Sequence, residues 1–242
     1  MIEVLARPRA VLLSLVAVLA AGSAAGFPGN KSIRIEDGAH AGGQSTVNGS
    51  ITVGRDAVID GSLETVNGTI RVGDNSRIGG ASTVNGSVRL APGVTATEVG
   101  SVNGSLRLAE NVTVDGEVSV VNGKVEIEQG CRVAADVSNV NGEIRIAGAE
   151  IGGNLTTVNG DVQLTDNAVL RGDLVIEKPN NWGWGHSSQR KPRVVIGPGA
   201  SVHGEIVLER EVELYISDTA EVGEVSGVMS LEDAIRFSGK EP

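Results

Sequence analysis

The 242-residue chain contains 34 glycines, and only 2% of its residues are aromatic. Because no Phe, Tyr or Trp lies between Phe27 and Trp182, the core of that stretch must be built from Val, Ile, Leu and Ala, which argues against an ordinary layered globule and favours a narrow, regular core. The 30 acidic and 20 basic side chains give a formal charge of −10, so nucleic acid, a polyanion, is not expected as a partner.

Residues 1–25 have the composition of a secretory signal peptide. Arg7 and Arg9 form a basic start, residues 10–21 are apolar, and Ser23, Ala24 and Ala25 offer a small-residue cleavage site. The apolar run is shorter than the roughly 20 residues that a membrane-spanning helix needs. We therefore predict cleavage near Ala25 and export to the periplasm or the cell surface, with the membrane as a partner only if the segment stays uncleaved as an anchor.

A Val-Asn-Gly motif then recurs seven times, at spacings of 18 or 19 residues. A short period sustained this long indicates a solenoid, in which each repeat is one coil stacked on the next. The asparagines of the motif are Asn48, Asn67, Asn85, Asn103, Asn122, Asn141 and Asn159.

Each repeat divides into three six-residue sides, as in TIRVGD, NSRIGG and ASTVNG of residues 69–86. The pattern predicts an all-β, single-stranded parallel β-solenoid with triangular coils. It begins at residues 32–49 and continues through residues 193–225 without the Asn-Gly motif, which gives about ten coils. At about 4.8 Å per coil, the rod is expected to be about 45 to 50 Å long.

Aliphatic columns along the first side are predicted to fill the core, with Ile70 and its equivalents pointing inward. Val84 of the motif is also assigned to the core. The single cysteine, Cys131, excludes an intramolecular disulfide and lies in a column of small residues, where we expect an inert buried thiol.

The Asn-Gly pair is interpreted as a sharp corner, because both residues tolerate positive φ. Gly86 and its equivalents are therefore expected to need either positive φ or a close approach of the neighbouring coil. Stacked asparagines are also expected to hydrogen-bond along the axis, as in other ladders. Four of the motifs match the N-glycosylation pattern, beginning with Asn48-Gly-Ser, and turn chemistry accounts for them.

The solenoid domain is predicted to span residues 26–229. One segment that departs from the repeat lies within this domain, and a second follows it. Residues 178–192 are predicted to form an ejected loop that carries Trp182, Trp184 and His186. Residues 230–242 are predicted to form a C-terminal cap or a tail. The cap would contain a short helix, since Ser230 and Asp233 have the spacing of a capping box before apolar residues at helical spacing.

The six-residue sides, the 18-residue turn and strings such as VIGPGASVHGEI at residues 195–206 resemble bactofilins over residues 32–227. Bactofilins are bacterial proteins whose triangular parallel β-helices assemble end to end into filaments. The resemblance implies the same fold and a polymer-forming, structural role.

No catalytic, cofactor or metal site is predicted. Hexapeptide-repeat acyltransferases share related strings, but such an enzyme, like a metal hydratase, needs histidines. His40 and His203 lie about eight coils apart, or roughly 38 Å, and so cannot share a metal ion. No carboxylate pair recurs beside a basic residue that would orient it, which argues against a polysaccharide-cleaving enzyme.

The outer faces carry the candidate binding residues. Arg71, Arg89 and Arg107 are expected to stack on successive coils as a basic stripe, which either grips an acidic glycan or lipid headgroup or pairs with neighbouring carboxylates. A second outward column is predicted from the small polar residues before the motif valine, a pattern that also occurs on ice-binding solenoids. That column consists of Thr46, Thr65, Thr83, Ser101 and Thr157.

We therefore expect a non-enzymatic structural or scaffolding protein of the bacterial cell envelope that self-associates through the solenoid ends. Because the N-terminal end is expected to be open and the C-terminal end covered, association is predicted at the N-terminal end as head-to-head dimers, with longer filaments only if the C-terminal segment is displaced. The alternative is a carbohydrate-binding or adhesin-like module that meets an envelope polysaccharide through the Trp182 and Trp184 loop or the arginine stripe.

Overall fold

The computed structural model describes residues 29–179 and 190–242. These residues form a parallel β-solenoid of about ten turns with almost no helix, as the repeat predicts. Every strand pairs in parallel with its equivalent in the neighbouring coil. The sheets therefore extend along the axis of the rod, and the individual strands lie across that axis.

The first side of the rod is an 11-stranded parallel sheet of short strands. They are β1 Ile33–Ile35, β3 Ile51–Val53, β5 Ile70–Val72, β7 Val88–Leu90, β10 Leu106–Leu108, β13 Val125–Ile127, β16 Ile144–Ala147, β19 Val162–Thr165, β22 Arg193–Ile196, β25 Glu213–Ser217 and β28 Ile235–Phe237.

The second and third sides form a 17-stranded sheet. Three strands bend across both sides, namely β2 His40–Asn48, β4 Val58–Asn67 and β6 Arg77–Asn85. The second side continues with β8 Thr95–Ala96, β11 Thr113–Val114, β14 Arg132–Val133, β17 Glu150–Ile151, β20 Val169–Leu170, β23 Ser201–Val202 and β26 Glu221–Val222. The third side continues with β9 Glu98–Asn103, β12 Val118–Asn122, β15 Val137–Asn141, β18 Leu155–Thr157, β21 Leu174–Ile176, β24 Ile206–Leu208 and β27 Val225–Gly227.

Stacked aliphatic side chains fill the interior. Ile51 pairs with Ile70, Ile70 with Val88, and Val88 with Leu106, and all four are fully buried. Burying one such side chain contributes about 1.5–3 kcal/mol, so a column repeated in every coil compensates for the absence of aromatic residues.

The left-handed backbone position lies at the corner between the first and second sides. It is occupied by Asp56 at φ 54°, Asn75 at 55° and Gly93 at 73°, and Asn111 and Gly130 follow in the next coils. Asp, Asn and Gly are the residues that accept this conformation most readily.

The positive-φ interpretation of the Val-Asn-Gly corner is therefore wrong for most of the motifs. Among the glycines of the seven motifs, only Gly142 has positive φ, at 128°. The other expected reason holds there, because a Cβ atom on Gly86 would overlap the backbone carbonyl of Gly68 in the preceding coil. The corner requires close backbone approach.

The column of small polar residues on the third side points inward, so its predicted outward orientation is wrong. Thr65 and Thr83 are buried, and their hydroxyls donate to the carbonyls of Gly49 at 2.9 Å and Gly68 at 3.1 Å. Strand alternation then turns Val84 outward, where it is half-exposed rather than in the core. The inward site favours a donor because the corner carbonyls need partners.

The C-terminal segment does not form the predicted capping helix. Residues Leu231–Asp233 form a single 3-10 turn with no buried residue, and β28 then extends the first-side sheet beside β25. The backbone N–H of Ser230 donates to the Asp233 carboxylate at 2.8 Å, so the capping contact exists without a helix behind it.

Candidate functional site

An asparagine ladder follows the corner between the third and first sides. Each side-chain amide N–H donates to the Oδ1 of the asparagine one coil earlier, and both atoms are used in every internal member. The bonds measure 2.7 Å from Asn67 to Asn48, 2.9 Å from Asn85 to Asn67, 3.1 Å from Asn103 to Asn85, 3.0 Å from Asn122 to Asn103, 2.8 Å from Asn141 to Asn122 and 3.0 Å from Asn159 to Asn141.

Two residues outside the motif terminate the ladder. Asn48 donates to Asn30 at 3.1 Å, and the Arg210 guanidinium donates to Asn159 at 2.9 Å. Asn30 lies 18 residues before Asn48, so the period of the repeat alone could have predicted that Asn30 belongs to the ladder. The repeat gives no indication that Arg210 binds at the other end. The ladder ties eight coils together through exposed side chains.

The arginine stripe lies on the outer face of the first side. Register pairs Arg71 with Arg89 and Arg89 with Arg107, so the three side chains occupy successive coils. Within the residues that the structure describes, Arg71 and Arg89 form no ion pair, whereas Arg107 contacts the carboxylates of Glu126 at 3.3 Å and Glu128. The guanidinium groups of Arg71 and Arg89 are therefore available to an anion, whereas the charge of Arg107 is neutralised by its carboxylate partners.

Lys124 shares the Glu126 carboxylate with Arg107 at the far end of the stripe. Its ammonium lies 2.9 Å from Glu126 and 3.1 Å from Glu143, and the hydrogen bond from Lys124 lowers the pKa of the Glu126 carboxyl. Exposed pairs of this kind contribute little to stability. The two cations Arg107 and Lys124 face three carboxylates, those of Glu126, Glu128 and Glu143, so this cluster carries no excess positive charge. The part of the stripe open to an anion is therefore short.

Trp182, Trp184 and His186 lie outside the described residues. The described flanks of their loop are held at the corner between the third and first sides, where Asp161 accepts from the Arg190 guanidinium at 2.6 Å and from the Arg193 backbone N–H at 2.9 Å. In this coil Val162 pairs with Val194, 32 positions on, in place of the usual 18 or 19.

The two ends of the rod differ in apolar exposure. Val228, Leu231 and Ile235 at the C-terminal end are 59%, 40% and 52% exposed, and among the described residues only one other large hydrophobic, Val58, is exposed. At the N-terminal end, Ile33, Ala39 and Ala41 are partly buried. The larger apolar surface is at the C-terminal end, the reverse of the predicted arrangement.

Reactive groups in the described residues are isolated. Cys131 is buried, its thiol donates to the carbonyl of Ala109 at 2.9 Å, and burial raises the pKa of that thiol. His40 and Asp60 lie 2.5 Å apart on the exposed surface. Across residues 29–179 and 190–242, no cluster of three or more His, Cys, Asp or Glu side chains is arranged to hold a metal ion.

Nor does this part of the chain include a helix with the length and apolar character to cross a membrane.

Comparisons with protein-family models, curated proteins and solved structures find no match to this chain.

Proposed function

We propose that the protein is an exported structural rod of the cell envelope that assembles end to end. The observation that carries the proposal is the apolar surface of Val228, Leu231 and Ile235, which lies where no described strand pairs with the outer edges of β26, β27 and β28. Unpaired strand edges beside exposed apolar side chains are a template for another chain.

Charge favours contact between unlike ends. Residues 218–242 carry six acidic and two basic side chains, a net of −4, whereas residues 29–49 carry two of each, a net of zero with His40 neutral. Two C-terminal ends would therefore repel, while a C-terminal end meets a neutral N-terminal end. Such a head-to-tail contact does not close on itself and produces an open filament.

The relation to bactofilins is part of the same proposal. The coil architecture and the parallel sheets support it, because a solenoid that continues across a subunit boundary needs only matched strand edges. The asparagine ladder supports stiffness, since hydrogen bonds between exposed amides link every coil from Asn30 to Asn159.

The test is sedimentation of the chain from residue 26 onward, over a range of concentrations. The wild type is expected to form concentration-dependent assemblies, and the double variant Leu231→Lys and Ile235→Lys is expected to remain monomeric. Val58→Lys is the control, because it places a lysine on an exposed apolar site away from the C-terminal end. A wild type that is monomeric throughout, or a control as disruptive as the double variant, contradicts the proposal.

A second candidate function is the binding of an acidic envelope polysaccharide along the arginine stripe. The open pair Arg71 and Arg89 favours it, because two guanidinium groups on adjacent coils present fixed donor forks to carboxylates. Binding of polygalacturonate by wild type, with loss in the double variant Arg71→Gln and Arg89→Gln, supports it. Binding that instead depends on Trp182 and Trp184 assigns the activity to the loop.

A further inference from the structure

An apolar ridge runs along the outer face of the third side. The valine of each Val-Asn-Gly motif follows an inward residue of the third side, so strand alternation turns it outward. All seven valines are partly exposed, and register stacks them on successive coils. Outward positions of a solvated sheet normally carry polar side chains, so this column needs an explanation. The valine ridge consists of Val47, Val66, Val84, Val102, Val121, Val140 and Val158.

A strip of small residues lies beside the valine ridge. Two residues before the valine, the next outward position carries Gly, Ser or Thr in five successive coils. Gly100 and Ser119 are buried although they belong to the outer face, because larger side chains stand on both sides of the strip. The strip is therefore recessed beside the ridge. The small-residue strip consists of Ser82, Gly100, Ser119, Ser138 and Thr156.

The edge of the face beyond the small-residue strip is acidic. Glu98, Glu117 and Asp136 occupy it in successive coils, and among the described residues none of the three forms an ion pair with Lys, Arg or His. The third-side strands β9, β12, β15 and β18 contain no Lys or Arg. Burial raises the pKa of the Glu117 carboxyl, and the charges of Glu98 and Asp136 raise it further. Negative charge on this edge is therefore not compensated locally.

The opposite edge of the face carries hydrogen-bond donors. Asn103, Asn122 and Asn141 each use one amide N–H to bond to the asparagine one coil earlier. A side-chain amide has two N–H groups, and among the described residues the second one of these three asparagines has no partner. Because the three asparagines are exposed, their second N–H groups are accessible to a carboxylate.

We propose that two filaments of this protein pair side by side through their third sides, with their rods pointing in the same direction. A twofold axis along the rods places each edge of the face across from the other edge of the partner. The valine ridge of each copy then lies on the small-residue strip of the other, and each acidic edge lies beside the partner's asparagines. Rods pointing in opposite directions would instead bring the two acidic edges together, which is unfavourable.

A second copy matches this face because it has the same spacing. Any partner of the valine ridge must present side chains at about 4.8 Å intervals over several coils, and another rod of the same chain does so. The face is about 34 Å long and about 17 Å wide, so two copies would bury roughly 1,100 Å² together. That area is close to the minimum of about 1,000 Å² for a specific interface.

Pairing on this face rests on the proposed end-to-end assembly. An interface near the minimum area holds two single rods only weakly, so a variant that cannot join end to end stays monomeric. In a filament every subunit repeats the same contact along the rod, and the contacts act together as a multivalent interaction. The paired filament is therefore stable where a pair of single rods is not.

The test is electron microscopy of filaments formed by the chain from residue 26 onward. Wild-type filaments are expected to be two rods wide. The double variant Val102→Asp and Val121→Asp is expected to form filaments one rod wide, because it places two charges in the valine ridge, close to the partner's acidic edge.

A matched control places the same two charges on another face of the same two coils. Thr95→Asp and Thr113→Asp alter outer positions of the second side, which takes no part in the proposed contact. This control is expected to keep filaments that are two rods wide. Both double variants are expected to melt close to wild type, because all four side chains lie on outer faces.

The direction of the two rods provides a second measurement. Averaged images of paired filaments are expected to show the same end of each rod at the same end of the pair. Pairs in which the rods point in opposite directions, or meet through their first or second sides, contradict the proposal.

Filament width separates this proposal from end-to-end assembly. Wild-type filaments one rod wide, or a Val102→Asp and Val121→Asp variant that pairs as often as the control, would overturn lateral pairing and leave end-to-end assembly intact. Absence of filaments from wild type and from both variants contradicts both proposals.

Discussion

Replacement of Thr83 by valine tests the inward polar column most directly. The substitution keeps the shape of the side chain and removes only the hydroxyl that donates to the carbonyl of Gly68 at 3.1 Å. Loss of one partner of a buried hydrogen bond leaves the other unpaired, which costs about 1–3 kcal/mol. We expect a loss near 1 kcal/mol, because the new methyl group lies in an apolar interior.

The opposite substitution, valine to threonine, can be made in the same column as a second test. Val120 occupies the same column, pairing with Ser101 and Asn139, and it is the only member from Thr46 to Thr157 that carries no polar group. Val120→Thr is expected to stabilise the rod by about 0.5–1.5 kcal/mol by supplying the hydroxyl that the coil lacks.

Urea unfolding followed by circular dichroism measures both substitutions, with Thr113→Val on the outer second side as the control. The control is expected to change the free energy of unfolding by less than about 0.5 kcal/mol. Thr83→Val and Thr113→Val with equal effects would refute the inward assignment.

Three further predictions concern the core, the corner and the thiol. Ile70→Asp is expected to destabilise the rod by about 4 kcal/mol or more, whereas Val84→Asp has a much smaller effect, and similar melting temperatures for the two would contradict their assignment to opposite faces. Gly86→Val is expected to lower Tm far more than Ser87→Val, because only the first forces a Cβ into the preceding coil; equal tolerance argues against close backbone approach. Cys131 is expected to react with iodoacetamide only after unfolding, since burial keeps its thiol protonated, and rapid native alkylation would disprove this.

The coil and its core were predictable because the period repeats seven times and each repeat averages out local ambiguity. Ile70 and its equivalents are aliphatic in every coil, so only one face of the strand can be buried. The third side was not assignable in the same way, because Thr83 and Val84 are adjacent and hydropathy favours burying the valine. Thr83 points inward because its hydroxyl donates to the Gly68 carbonyl of the preceding coil. This hydrogen bond becomes visible only when the coils are stacked.

The sequence also contained a pattern that predicts positive φ at the corner between the first and second sides, but the Val-Asn-Gly motif led us to place positive φ at another corner. Asp56, Asn75, Gly93 and Asn111 recur at one position of the coil, and these are residue types that accept positive φ. The helix predicted in the C-terminal segment was wrong for another reason. The apolar spacing of residues 231–237 suits a helix, but pairing with the edge of β25 stabilises a strand instead.

The candidate sites were predictable only in part. Stacking of Arg71, Arg89 and Arg107 follows from the period, and the structure places them in register, but the contacts of Arg107 with Glu126 and Glu128 depend on side-chain reach across coils.

Electron cryomicroscopy of the chain from residue 26 onward tests the proposed assembly most directly. We expect filaments in which the C-terminal end of each subunit, with Ile235, meets the N-terminal end of the next, and the coil spacing of about 4.8 Å continues across the contact. Isolated rods about 50 Å long at every concentration, or filaments joined through like ends, would contradict it.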